Sequence, residues 1–269
     1  MPTITTSDGV RLHYLDDGDP AGPPVVLLAG FRAPASSWSP QWDALRGAGH
    51  RVLSLDRRSH GASEDPPTGH TMARHGEDLA DFLSALDIRD AVLVGGSMGA
   101  STIWAYMTAH GTDRMRAMVS VDQTPKMLNT DDWAYGFYGY TEANRDTYFA
   151  QGIPRGGQRP KRSLATARRM MRALDLSPLD IVRGVRLSPT ALALLHDHAT
   201  RDWRSVVTAS DVPLLMVAAR DSEFWPCEHA TAMAEAGPKV EAAVVGDSGH
   251  AVNIERPDEF NRLLLRFIG

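Results

Sequence analysis

Short apolar runs, each closed by glycine or a charged residue, recur along the chain. "PPVVLLAG" (23–30), "RVLSLD" (51–56), "AVLV" (91–94), "MRAMVSVD" (115–122), "PLLMVAARD" (213–221) and "VEAAVVGD" (240–247) are the main examples. Continuous apolarity over so few residues predicts strands buried on both faces. Between the runs the spacing is helical. It is clearest at 72–86, where Leu79, Phe82, Leu83 and Leu86 share a face, and further helices are expected at 39–48, 98–110, 226–236 and 258–268. Residues 3–19 alternate polar and apolar around Asp8 and Gly9, which predicts a β-hairpin. Strands alternating with helices imply an α/β fold with a parallel sheet and right-handed crossovers. Ligands of such sheets bind beyond the carboxyl ends of the strands, so polar residues just after strand ends should gather the chemistry.

The alternation stops between 126 and 209. That interval is too long for a plain loop and is expected to be a mainly helical cap inserted over the strand ends, with the core formed by 1–125 and 210–269. A chain of 269 residues, 43% of them apolar, suits one large α/β domain with such an insertion. With 28 basic against 33 acidic residues, nothing points to nucleic acid or an anionic membrane. The first residues lack the charged and apolar regions of a signal peptide, and no apolar run reaches 18 residues, so a soluble, cytoplasmic protein is expected. A single cysteine, Cys227, excludes an internal disulfide and a cysteine-rich metal site.

"GGSMG" (95–99) follows one predicted strand and opens a predicted helix. A sharp turn brings the positions flanking Ser97 together, and glycine at 95 and 99 removes the clash. The turn then lifts the serine oxygen above the sheet while the helix start directs N–H groups at the same space. A serine hydroxyl needs a base, and His250 follows the last predicted strand in "GDSGHAVNIERPDEF". His60, in "DRRSHGAS", is the runner-up. An acid must then hold the base's tautomer. Asp221 ends a strand and lies between Ser97 and His250, the chain order such sites use. Asp122 also ends a strand and is the serious rival, with Glu223 a weaker one. Oxyanion donors are expected from the backbone N–H of Met98 and of Phe31, which follows Gly30 after the first parallel strand. His196 and His198 form a close pair, but no further ligand cluster completes a metal spacing, so neither metal nor cofactor is expected.

With "GGSMGA", "LLAGF", "LDRRSHGAS", "AARDSEFWP" and "GDSGHAVNIERPDEF" in this order, nearly the whole chain resembles the α/β-hydrolase family, most closely its esterase, lactonase and haloperoxidase-like branch. The resemblance implies an eight-stranded, mostly parallel sheet with helices on both faces. It implies a triad at Ser97, His250 and Asp221 and an oxyanion hole at Phe31 and Met98. The chain departs from the family's pattern at Ala29, where histidine is usual, at Ala218, where glycine is frequent, and in the stretch 56–63.

Trp38, Trp133, Phe137 and Tyr138 are candidate substrate contacts, although the aromatic cluster 133–140 serves equally well to pack the cap. The basic residues from Arg155 to Arg172 read as a solvated helix face, with steering of an anionic substrate as the alternative. The expected function is hydrolysis of a small carboxylic ester or lactone through an acyl-enzyme, by a monomer or homodimer. Carbon–carbon bond hydrolysis or perhydrolysis with the same residues, or a non-enzymatic ligand receptor, are the alternatives.

Overall fold

The computed structural model describes residues 2–154, 156–175 and 187–269. Strands β1 (Thr3–Thr5) and β2 (Arg11–Gly18) form the expected hairpin. Its turn passes through Gly9 at φ +86°, a conformation that glycine adopts without steric cost. Six further strands follow: β3 (Pro24–Leu28), β4 (Arg51–Leu55), β5 (Ala91–Gly96), β6 (Met115–Val121), β7 (Leu214–Ala219) and β8 (Val240–Val245). Together they make one eight-stranded sheet in the order β1-β2-β4-β3-β5-β6-β7-β8, parallel from β4 to β8.

The period-two alternation of these strands feeds two separate cores. Val26, Leu28, Leu93, Met118 and Met216 face one side and pack with α2 (Met72–Ala85), α3 (Met98–His110) and α7 (Glu228–Ala236) through Leu79, Phe82, Ile103, Trp104 and Met233. Val25, Leu27, Val92, Val94, Val119 and Val217 face the other side, where α1 (Ser39–Gly47), the short α8 (Val252–Glu255) and α9 (Pro257–Ile268) supply Leu45, Val252, Phe260, Leu264 and Ile268, the last three from α9. In α9 those three residues recur every fourth position while Arg262 and Arg266 are exposed, the stripe expected of a helix on a sheet. Helices therefore cover both faces, and the boundaries predicted for core strands and helices hold to within two residues.

The segment between β6 and β7 carries α4 (Leu164–Ala173), α5 (Pro189–Ala199) and α6 (Arg204–Thr208). Among its described residues the first part, up to Ser163, is largely irregular, with a single 3₁₀ turn at Glu142–Asn144. Among the described residues no helix is long and apolar enough to cross a membrane.

The second core leans on Phe260, which is fully buried against Trp38 at a ring separation of 6.2 Å. Phe260→Ala should cost about 3–5 kcal/mol of stability. At roughly 2–4 °C per kcal/mol for a domain of this size, the melting temperature should drop by about 6–20 °C, read by calorimetry.

Candidate active site

Ser97 is the single residue between β5 and α3, and its backbone sits at φ +50°, ψ −127°. A side chain in this region is strained, and the surroundings hold it there. The Ser97 N–H donates to the Val121 carbonyl at 2.9 Å. A methyl group at Gly99 would be driven into the Leu28 carbonyl, and one at Gly95 into the Ala100 backbone, so both glycines are required by the tightness of the turn. Across the turn, the loop after β3 comes so close that a Cβ on Gly30 would lie 3.1 Å from Ser97 Cβ. The N–H groups of Phe31 and Met98 flank this approach, and among the described residues neither donates to a protein acceptor.

Asp122 is the first residue beyond β6, also in the left-handed region at φ +42°, and is fully buried. Its Oδ1 accepts from the Ala219 N–H at 2.8 Å. Its Oδ2 accepts from the Ser222 hydroxyl and from His250 Nδ1, each at 2.7 Å. A second buried imidazole lies on its far side, with His229 Nε2 4.0 Å from Oδ1. Burial alone would raise the Asp122 carboxyl, but the two flanking imidazoles outweigh it and hold the group well below the usual carboxylate range. An ionised carboxylate only accepts, so Nδ1 of His250 carries a hydrogen, and in the neutral ring Nε2 is then the acceptor. The histidine is steadied further by its backbone N–H, which donates to Glu223 Oε2 at 2.8 Å, and by the edges of Phe224 and Trp225.

This geometry places Asp122, not the expected Asp221, against the His250 ring. Asp221 lies two residues past β7; its N–H donates to the Ser248 carbonyl, and among the described residues its carboxylate makes no hydrogen bond. The inward-facing residue at this strand end is the next one, Ser222, 1% exposed, which reaches Asp122. A one-residue offset thus decides which strand end serves His250. Glu223 orients the His250 backbone instead of its ring, and also pairs with Arg162, which holds Glu255 at 2.8 Å. Part of the basic stretch is therefore tied to the loop around His250: besides Arg162, Arg169 donates to the Ile254 carbonyl at 3.0 Å. His60 is buried, with its ring nitrogens engaged by Arg57 and the Arg58 carbonyl.

Ser97 and His250 line one cavity of about 290 Å³ together with Phe31, Trp38, Phe224 and, from the inserted segment, Ile153, Met170 and Leu174. A second, much smaller cavity of about 30 Å³ also borders Ser97, walled further by Met98, Phe137, Phe149, Leu195, His198 and Trp225. Of the four aromatic candidates, Trp38 and Phe137 line these spaces. Trp133 and Tyr138 do not. The Trp133 indole donates to the Lys126 carbonyl and packs on Tyr135, and Tyr138 is joined through its backbone to Phe224 and Tyr148, so both serve to pack the inserted segment. Ser222, His229 and Arg162 were not singled out by sequence pattern, because nothing in their spacing marks a buried partner for a distant residue.

The sequence profile described as the alpha/beta hydrolase fold matches residues 23–257. The chain is 29% identical over 286 residues to a non-heme haloperoxidase of Rhodococcus erythropolis, covering 100% of this chain and 99% of that protein. It is 30% identical over 128 residues to a bifunctional esterase/perhydrolase of Acinetobacter calcoaceticus, covering 48% of this chain and 46% of that protein. Among solved structures, the bromoperoxidase from Bacillus anthracis superposes with a TM-score of 0.79 at 26% identity, over 99% of both chains.

The His250–Asp122 contact is directly observable. A low-field proton resonance from His250 Nδ1–H should be present near neutral pH, vanish or move far upfield in Asp122→Asn, and persist in Asp221→Asn. Persistence in Asp122→Asn with loss in Asp221→Asn would contradict the geometry.

Proposed function

Because the chain belongs to the alpha/beta hydrolase fold family, we propose that its site is that of a serine hydrolase of carboxylic esters or lactones, with Ser97, His250 and Asp122 as nucleophile, base and acid. The observation that carries this reading is that Ser97 and His250 line one cavity while His250 Nδ1 is held 2.7 Å from a buried carboxylate. His250 Nε2 takes the hydroxyl proton as Ser97 Oγ attacks the substrate carbonyl. Asp122 keeps the imidazole in the right tautomer and stabilises the imidazolium. The N–H groups of Phe31 and Met98 receive the oxyanion. His250 then protonates the leaving alcohol, an acyl-enzyme remains, and water activated by His250 releases the acid. Hydrogen peroxide in place of water would release a peroxy acid from the same acyl-enzyme. This second reading is favoured by relatives named haloperoxidase and perhydrolase.

The two cavities support an assignment of the two halves of the ester. The leaving group must lie where His250 can protonate it, and His250 lines only the larger cavity. The acyl group therefore enters the smaller one, whose walls Phe137, Phe149, Leu195 and Trp225 are buried and closely packed. A space of about 30 Å³ takes an acetyl or propionyl chain; a longer one must push these side chains aside, at roughly 1–3 kcal/mol.

Ser97→Ala should lower kcat by roughly 10⁴–10⁶. A fluorophosphonate probe should label Ser97 in the wild type, located by mass spectrometry, and labelling elsewhere with Ser97 untouched defeats the proposal. Asp122→Asn should cost on the order of 10⁴ in kcat, while Asp221→Asn stays within a few-fold. Along a series of p-nitrophenyl esters, kcat/KM should fall at least about tenfold from acetate to hexanoate, and Leu195→Ala should recover part of the loss. A flat or rising series would refute the acyl assignment. Adding hydrogen peroxide to the acetate assay and measuring peracid separates the two readings.

A further inference from the structure

Arg57 is a buried guanidinium, 2% exposed, with no carboxylate in ion-pairing distance among the described residues. Its Nε donates to the Ala29 carbonyl at 3.0 Å, and Nη2 donates to the Gly30 carbonyl at 2.9 Å. Nη2 also donates to His60 Nε2 at 3.0 Å and Nη1 to His75 Nδ1 at 3.1 Å. The tautomers agree with this. His60 Nδ1–H donates to the Arg58 carbonyl at 2.7 Å, which leaves Nε2 as an acceptor. Burial, and then the Arg57 charge itself, push both imidazoles well below their ordinary range, so they remain neutral acceptors. Burial also draws Arg57 down, to about 9, which still leaves it cationic at neutral pH. A cation has been enclosed among two carbonyls and two neutral rings, an arrangement that folding alone would not favour.

We infer that Arg57 is a positioning residue for the oxyanion hole: by gripping the Ala29 and Gly30 carbonyls it aims the Phe31 N–H at the space above Ser97 and places a positive charge behind it. The inference rests on the serine hydrolase reading above. The peptide between Gly30 and Phe31 is trans, so its C=O and N–H point in opposite directions. A carbonyl drawn back toward Arg57 therefore sends the Phe31 N–H forward, and Gly30 is already in close approach to Ser97. Hydrogen bonding from a charged donor to that carbonyl also polarises the peptide and strengthens the N–H as a donor. The edge of Phe31 rests on His60 at a ring separation of 6.2 Å, so the same cluster supports the side chain of the donor residue. A developing oxyanion then meets both an aligned N–H and a nearby cation with no direct ion pair among the described residues, and the benefit grows only as charge appears in the transition state.

The experiment compares wild type with Arg57→Lys, Arg57→Gln and His60→Leu. On p-nitrophenyl acetate, both Arg57 variants should lose roughly 10–100-fold in kcat with KM within about twofold, part of the 10²–10³ attached to a whole oxyanion donor. Affinity for an alkyl boronic acid, which forms a tetrahedral adduct on Ser97, should weaken by the same factor, while affinity for acetamide, a neutral ligand of similar size, stays within twofold. A residue that merely supports the fold would lower melting temperature without this split. Should the Arg57 variants fail to fold, His60→Leu, which removes one acceptor of Nη2, should still lower kcat and boronate affinity together, by about 3–10-fold. Folded variants with kcat and boronate affinity within twofold of wild type overturn the inference alone. A wild type that neither hydrolyses esters nor takes a fluorophosphonate on Ser97 overturns the hydrolase reading, and this inference with it.

Discussion

A carboxylate with no exposure to water must be surrounded by donors, and Asp122 sets that requirement for the whole site. Its position after β6 would be untenable without the Ala219 N–H, the Ser222 hydroxyl and the His250 ring around it. Those partners come from the end of β7, the turn after it, and the loop after β8. One charge therefore registers three neighbouring strand ends against each other. The imidazole orientation follows from that register and does not have to be maintained by the histidine's own loop.

That constraint puts Asp122, and not the Asp221 expected from the sequence, against the His250 ring. Strands, helices and the serine turn follow from periodicity and from glycines flanking Ser97, and His250 follows from its place after the last strand. Asp122 and Asp221 are indistinguishable on those grounds, since each closes an apolar run. What separates them is side-chain direction within a few residues of the strand end, where Ser222 turns inward and Asp221 does not. Such parity depends on how the turn closes, which composition does not encode. The aromatic cluster 133–140 illustrates the same limit. Trp133 and Phe137 are both deeply buried, yet only Phe137 borders space beside Ser97.

The inserted segment acts on the site from the other side. Arg162 bridges Glu223, which holds the His250 backbone, and Glu255, which accepts from the Gly249 N–H at 3.2 Å. The loop carrying the histidine is thus fixed between the core and the insertion. A chain that loosened the insertion would disturb both the cavity wall at Met170 and Leu174 and the setting of His250. The cavity wall and the histidine loop share the same salt-bridge network. Charges in the region read as a solvated basic stretch are partly structural for this reason.

Ser97 and Asp122 occupy equivalent places at successive strand ends, and both adopt positive φ with side chains that disfavour it. Glycine would relieve the strain at either position but would remove the functional group. The strain is offset by extending the sheet's hydrogen-bond ladder one residue beyond each strand: Ser97 N–H donates to Val121 at 2.9 Å, and Asp122 N–H donates to Val217 at 2.7 Å. The Arg220 N–H continues the pattern to Val245 at 2.9 Å. Each strand end is thereby braced by the next strand in the sheet, from the serine across to the strand that leads into His250. A parallel sheet offers this because all its carboxyl ends lie on one side. Local distortion at one strand end is then resisted by the rigid neighbour, and side chains far apart in sequence keep a fixed separation without any direct covalent link.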